Sequence, residues 1–106
     1  MEIRFENKVA FITGAAGGIG YAAARMFAEA GASVVMADLD SRVTDRAKEL
    51  EAEGHNAIGI RCDVSDEVQV KAAVEKAVAV FGKLDIAYNN VGIHAAVRED
   101  LAETEG

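Results

Sequence analysis

The sequence predicts an α/β fold in which helices cover both faces of a parallel sheet. Four short apolar segments alternate with three longer segments of helical spacing, and this alternation is typical of βαβ units with right-handed crossovers. The segments are joined by short turns, several of which contain glycine. If the third helix crosses to the opposite face of the sheet, the strand order is 3-2-1-4, a partial doubly wound arrangement.

The first strand and the first helix enclose a glycine-rich turn. The strand is predicted at residues 8–13, because residues 9–12 form an unbroken apolar run, as expected of a strand covered on both faces. The helix is predicted at residues 18–30, where alanine is frequent, and Gly31 follows as a stop signal.

The second strand is predicted at residues 33–38, a continuous apolar run that ends in Asp38. Asp40 or Ser41 is then expected to cap a second helix that ends near Gly54. The apolar residues of this helix fall at helical spacing, so one of its faces should pack on the sheet. They are Val43, Ala47 and Leu50.

The third strand is predicted at residues 57–62 and is again followed by a carboxylate, Asp63. The third helix begins near Ser65 or Asp66 and continues to residue 81, before a glycine. Its apolar stripe is predicted to be core, and comprises Val70, Ala73, Val74, Ala77, Val78 and Phe81. A fourth strand is predicted at residues 84–89. Asp85 lies at its start, at the opposite edge of the sheet from the glycine turn, and is expected to be structural.

Length and composition favour one domain over residues 1–106. A chain with 51% hydrophobic residues can bury one core. The net charge of −7 disfavours nucleic acid and anionic membrane surfaces as partners. No apolar run approaches the length that spans a bilayer, and the N-terminus has no signal-peptide pattern. With a single cysteine, Cys62, best explained as a small buried residue, we expect a cytoplasmic protein.

Four segments of the predicted fold converge on the carboxyl edge of the sheet, where ligands of such sheets bind. The glycine turn comes first, because a diphosphate reaches the amides of a helix N-terminus only where no Cβ obstructs it. Gly14 would form the tight turn, Gly18 would admit the phosphates, and Gly20 would bring the helix close to the strand. A flexible turn without a ligand is the alternative interpretation.

Asp38 follows the second strand at the same edge, placed to accept hydrogen bonds from both ribose hydroxyls of an adenosine. The alternative is a helix-capping or solvated loop acid. Beside this carboxylate, a 2′-phosphate would meet a repulsion of several kcal/mol at about 4 Å with an effective dielectric near 20. The turn residues supply no compensating cation, and Arg42 is expected to face solvent. NAD is therefore favoured over NADP.

Taken together, these motifs resemble the cofactor-binding half of the short-chain dehydrogenase/reductase family, a Rossmann-type fold. The residues that carry the resemblance are Thr13-Gly14-x-x-x-Gly18-Ile19-Gly20, Asp38, Asp63-Val64 and Asn89-Asn90-Val91-Gly92. The roles it implies are diphosphate binding at Gly14, Gly18, Ile19 and Gly20, ribose binding at Asp38, adenine contact at Leu39, Asp63 and Val64, and support of the sheet and cofactor at Asn89 and Gly92. The family's usual alanine is replaced by Val91, a small departure.

The sequence contains none of the catalytic residues that this resemblance implies. The family uses a serine and a Tyr-x-x-x-Lys pair, whereas Tyr21 is followed by Arg25 and Tyr88 by Gly92. Ser41 and Ser65 are interpreted as helix caps. No metal-ligand spacing is present, and His94, which follows the fourth strand, has no assigned role.

Three functions stay open at this point. The first is the NAD-binding portion of an oxidoreductase that transfers a hydride between a nicotinamide and an alcohol or carbonyl substrate. The second is a stand-alone, noncatalytic dinucleotide-binding half-domain, which would leave the fourth strand as an unpaired edge and so favour a homo-oligomer. The third is another nucleotide-binding protein such as a methyltransferase, which does not fit the Asn-Asn-Val-Gly segment.

Overall fold

The computed structural model describes residues 4–90, which form four parallel strands and three helices in strict alternation. The elements are β1 (Val9–Thr13), α1 (Gly18–Glu29), β2 (Ser33–Asp38), α2 (Arg42–Ala52), β3 (Ala57–Arg61), α3 (Glu67–Phe81) and β4 (Ile86–Tyr88). The strand order is β3-β2-β1-β4, which confirms the predicted order 3-2-1-4. None of the helices in this part of the chain is long and apolar enough to cross a membrane.

The helices lie on both faces of the sheet, as predicted, and alternate residues of the central strands supply the two cores. Ile12 of β1 and Met36 of β2 belong to the core beneath α1 and α2. Phe11 and Val35, their chain neighbours, belong to the core beneath α3. Because successive side chains of a strand point to opposite faces, the unbroken apolar runs of β1 and β2 fill both cores.

Two predicted strands end earlier in the structure. The third ends at Arg61, one residue before Cys62, which is nevertheless buried. The fourth covers only Ile86–Tyr88 instead of residues 84–89, because its pairing with β1 extends over three residues, from Ala10 to Ile12. The length of this strand is thus set by its partner and not by its own apolar run.

The predicted caps are partly wrong. Ser41 makes no capping hydrogen bond through its side chain; the amide of Arg42 donates instead to Oδ1 of Asp40. At α3 the cap is Asp66, whose carboxylate accepts from the amides of Val68 and Gln69. The Ser65 hydroxyl donates to Asp63 instead, so this serine is not a cap.

The apolar stripe of α3 is also narrower than predicted. Its fully buried members are two alanines, Ala73 and Ala77, while Val78 is 43% exposed. Helical geometry places residue 78 at the margin of a stripe centred between residues 70 and 81. Small residues at the centre of the stripe let the helix approach the sheet closely, and the margin stays in contact with solvent.

Asp85 ties the beginnings of β4 and β1 together, which is the structural role predicted for it. Its Oδ2 accepts from the Val9 amide at 2.8 Å, and its own amide donates to the Val9 carbonyl oxygen at 2.9 Å. Lys83 Nζ lies 3.2 Å from the same carboxylate oxygen. The Val9 amide, with Lys83 contributing less, holds the pKa of Asp85 below its usual value.

We expect Asp85→Asn to lower the free energy of unfolding at neutral pH, and to lower it by progressively less as the pH falls. Because the folded state lowers this pKa, the carboxylate stabilises the fold above its unfolded pKa of about 3.9 and loses that contribution as pH falls through the folded pKa. Urea denaturation of both proteins at several pH values down to about 3 measures the difference. A difference that does not change with pH would contradict this role of the charge.

Candidate functional site

The turn between β1 and α1 is built around glycines that the backbone requires. Gly14 and Gly18 have φ values of 64° and 58°, a region that side chains disfavour. A Cβ on Gly20 would lie 1.8 Å from the Gly14 carbonyl oxygen, closer than any real contact. The structure therefore requires glycine at position 14 for the conformation of the turn and at position 20 for the close approach of α1 to that turn.

The N-terminus of α1 opens onto this turn without a capping side chain. Gly17 occupies the N-cap position, and the first helical turn carries no acidic residue. A Cβ on Gly17 or Gly18 would meet no atom of residues 4–90 within 4 Å, so this part of the chain leaves the space above both residues open. The amides of a helix N-terminus and the positive end of the helix dipole favour an anion here, and Ile19 is 70% exposed beside them.

The same turn is fastened to the end of β2 and to α2. The amide of Ala15 donates to the carbonyl oxygen of Ala37 at 3.3 Å, and the amide of Ala16 donates to Oδ2 of Asp38 at 2.9 Å. The carbonyl oxygen of Ala16 accepts from Nε of Arg46 at 3.0 Å. Both alanines are buried, which restricts the conformations open to the turn.

Asp38 is half-buried at the end of β2, and each of its carboxylate oxygens accepts one backbone amide. Oδ2 binds Ala16, and Oδ1 accepts from the amide of Asp40 at 2.9 Å. Asp38 therefore organises both the glycine turn and the loop that follows β2. Because a carboxylate oxygen has two lone pairs, each oxygen keeps acceptor capacity for a hydroxyl group.

The guanidinium groups near Asp38 are engaged by other partners. Arg42 donates from Nε and Nη2 to Oδ2 of Asp40, at 2.9 and 2.7 Å, and this pair holds the pKa of Asp40 below its usual value. Arg42 is also largely exposed, as predicted. Arg61 Nε donates to the carbonyl oxygen of Leu39, whose side chain is 59% exposed.

The third segment follows β3 and lies beside the second. The amide of Cys62 donates to the Asp38 carbonyl oxygen at 2.9 Å, so the Asp63 backbone comes next to Asp38. The hydroxyl and amide of Ser65 both donate to Oδ1 of Asp63 and lower its pKa. Val64 is partly buried against the core beneath α3. Burial also raises the pKa of the Cys62 thiol, as suits a small core residue.

The fourth segment joins the glycine turn through Thr13 and Asn90, two motif residues to which the sequence analysis assigns no individual role. The Thr13 hydroxyl donates to the carbonyl oxygen of Tyr88 at 3.4 Å and accepts from the amide of Asn90 at 3.0 Å. Asn90 Nδ2 would lie 2.9 Å from a Cβ on Gly20, whereas Asn89 is exposed. In the sequence, Thr13 is the polar last residue of an apolar strand and the first residue of the glycine motif.

All four predicted segments therefore meet at the carboxyl edge of the sheet, with Asp38 and Ala16 as the link between β2 and the glycine turn. Gly92 and His94 lie outside the described residues. Within residues 4–90, no group of three or more His, Cys, Asp or Glu side chains could hold a metal ion. The two tyrosines make structural contacts: the Tyr21 hydroxyl accepts a hydrogen bond from Nη2 of Arg25, and the Tyr88 ring packs against Phe27.

Comparison with known proteins gives consistent matches. Residues 8–105 match the family model of the short chain dehydrogenases. Cis-4-hydroxycyclohexanecarboxylate dehydrogenase of Sinomonas cyclohexanicum is 47% identical over 84% of this chain and 36% of its own length. A hydroxysteroid dehydrogenase from Escherichia coli superimposes with a TM-score of 0.81 at 40% identity, over 84% of this chain and 38% of its own.

A second solved structure holds a nicotinamide cofactor. It is a 7α-hydroxysteroid dehydrogenase in complex with NADH and 7-oxo glycochenodeoxycholic acid, with a TM-score of 0.78 and 38% identity over 81% of this chain and 34% of its own. The chain thus spans a little more than a third of the length of these proteins.

Proposed function

The chain belongs to the short-chain dehydrogenase family, and from that premise we propose that residues 1–106 form a single, partial Rossmann-type domain that binds NAD. The protein would transfer a hydride between the nicotinamide and an alcohol or carbonyl carbon of a small-molecule substrate. The cofactor supplies the hydride chemistry, and this part of the chain supplies the binding site.

One observation carries the proposal. The uncapped N-terminus of α1 and the oriented carboxylate of Asp38 are held together by the hydrogen bond from the Ala16 amide to Asp38 Oδ2. An anion-binding helix terminus and a hydroxyl acceptor at fixed separation fit the diphosphate and the ribose of one adenosine diphosphate group.

The remaining contacts are proposed from family membership and position at the carboxyl edge. Diphosphate binding is assigned to Gly14, Gly18, Ile19 and Gly20, adenine contact to Leu39, Asp63 and Val64, and support of the cofactor to Asn89 and Gly92. The exposed side chains of Ile19 and Leu39 support these assignments, because apolar groups at a ligand site are exposed until the ligand covers them.

We propose that NAD is preferred over NADP. A 2′-phosphate would be repelled by the Asp38 carboxylate, and two neighbouring arginines have other partners. Arg42 is paired with Asp40, and Arg61 donates to a backbone carbonyl group. A 2′-phosphate would therefore have to compete with these partners for the two guanidinium groups.

A cytoplasmic location and a homo-oligomeric state are also proposed. The net charge of −7 suits a small-molecule enzyme better than a partner of nucleic acid or anionic lipid. In the part of the chain that the structure describes, β4 pairs only with β1, and an edge strand favours pairing with another strand.

The test is Asp38→Ala, with NAD and NADP titrated by calorimetry. We expect NAD affinity to fall by at least about tenfold, since hydrogen bonds to a charged acceptor contribute about 1.5–3 kcal/mol. NADP affinity should fall less, because a like charge is removed at the same time. Asp45→Ala, which removes an exposed acid from the first turn of α2, is the control and should leave both affinities unchanged. Unchanged relative affinities in Asp38→Ala would remove this residue from the ribose site.

A further inference from the structure

Ala16 holds the glycine turn in place through two hydrogen bonds, because its backbone amide and carbonyl group each bind a side chain of a distant element. Its amide donates to Asp38 at the end of β2, and its carbonyl oxygen accepts from Arg46 in α2. The residue is 2% exposed, so water does not compete freely for either bond.

Arg46 is itself held in position by two further contacts. Its guanidinium carbon lies 5.2 Å from the centre of the Tyr21 ring, as in a cation–π contact. Its Nη1 donates to Glu49 one turn further along α2, at 2.9 Å to Oε2. A planar guanidinium with a ring on one face and a carboxylate at one edge presents its Nε–H in a fixed direction.

The consequence reaches the neighbouring amide. The Ala16 carbonyl group and the Gly17 N–H belong to one planar trans peptide, so they point in opposite directions. Gly17, whose φ is one of the two torsion angles about which this peptide rotates, carries no side chain that would resist the rotation. A hydrogen bond from a charged donor to the carbonyl oxygen therefore selects one orientation of the Gly17 N–H.

We propose that Arg46 is a positioning residue for diphosphate binding, and that it acts through the Ala16 carbonyl oxygen to orient the Gly17 amide. This inference rests on the proposed dinucleotide binding. Arg46 does not touch the ligand; it removes a conformational freedom that binding would otherwise have to remove.

Arg25 provides a matched control on the other side of the same ring. Its guanidinium carbon lies 5.5 Å from the Tyr21 ring centre, and its side chain is 33% exposed, against 35% for Arg46. Its Nη1 and Nη2 bind Glu53 of the α2 C-terminus at 2.7 and 3.0 Å. It shares the charge, the ring and the link between helices, but its hydrogen bonds go to Glu53 and Tyr21 and not to the glycine turn.

The experiment compares Arg46→Gln with Arg25→Gln, using ADP and adenosine as probes in NMR titrations. We expect Arg46→Gln to weaken ADP by about tenfold, as for one charge-assisted hydrogen bond, and adenosine by less than about twofold. Arg25→Gln should change neither affinity by more than about twofold. Equal losses of ADP affinity in the two variants, or equal losses for ADP and adenosine in Arg46→Gln, would overturn the proposal.

Two further measurements make the outcome decisive. The Gly17 amide signal without ligand should shift in Arg46→Gln and stay in place in Arg25→Gln; an unmoved signal would contradict the inference whether or not ADP binds. Wild-type protein that binds neither ADP nor NAD would instead contradict the proposed function. Arg46→Lys keeps the charge and serves if the glutamine variant fails to fold: wild-type ADP affinity in it would overturn a role for the Nε bond, and a loss confined to ADP would support that role.

Discussion

Gly20→Ala is expected to destabilise the fold by about 3 kcal/mol or more, at the upper end of the cost of overpacking. The new Cβ would lie 1.8 Å from the carbonyl oxygen and 2.5 Å from the carbonyl carbon of Gly14. Both atoms belong to the backbone, so no side-chain rotation relieves the clash. Either α1 moves away from β1, or the Gly14 turn changes its conformation, and thermal and urea denaturation detect both.

The control for this prediction lies three residues earlier. Gly17 has an extended backbone with φ of −169°, and a Cβ there would meet nothing within 4 Å. Gly17→Ala should therefore stay close to the wild type in stability. If Gly20→Ala and Gly17→Ala unfolded at the same temperature and the same urea concentration, the close approach of helix and turn would not be needed for stability.

Gly18→Ala is expected to abolish NAD binding while the chain still folds. A Cβ on Gly18 points into open space at the N-terminus of α1, where the diphosphate is proposed to lie. Its φ of 58° costs an alanine of the order of 1–3 kcal/mol in stability. We expect NAD affinity to fall by at least about a hundredfold, which corresponds to about 2.7 kcal/mol, and calorimetry measures it.

Gly82→Ala separates backbone strain from the loss of the site. Gly82 ends α3 with a φ of 84°, and its added Cβ also meets no atom within 4 Å. The two variants should lose similar amounts of stability, but only Gly18→Ala should lose NAD. Retained affinity in Gly18→Ala would mean that the diphosphate binds elsewhere.

Local patterns predict β1, β2 and the strand order well, because strands buried on both faces appear as continuous apolar runs. β4 is shorter than its apolar pattern, since its length depends on pairing with β1, which is more than 70 residues away along the chain. The caps depend on local competition instead: the carboxylates of Asp40 and Asp66, next to Ser41 and Ser65, accept the helix amides in place of the serine hydroxyls.

The position of the candidate site can be predicted from the sequence once the parallel sheet has been predicted. The carboxyl ends of parallel strands share one edge, so glycine and carboxylate residues that follow each strand come together. The contacts that join them depend on tertiary structure. Arg46 looks in the sequence like any polar position of an amphipathic helix, and its bond to Ala16 spans 30 residues.

The double engagement of Asp38 bears on how cofactor preference can change in this chain. The Asp38 carboxylate is both the proposed hydrogen-bond acceptor for the ribose and the acceptor for the Ala16 amide. A substitution that admits a 2′-phosphate therefore also releases the glycine turn, and the gain for one part of the ligand is offset by a loss at another. Conversion from the proposed preference for NAD to one for NADP would need a second change that supplies a new acceptor for the Ala16 amide.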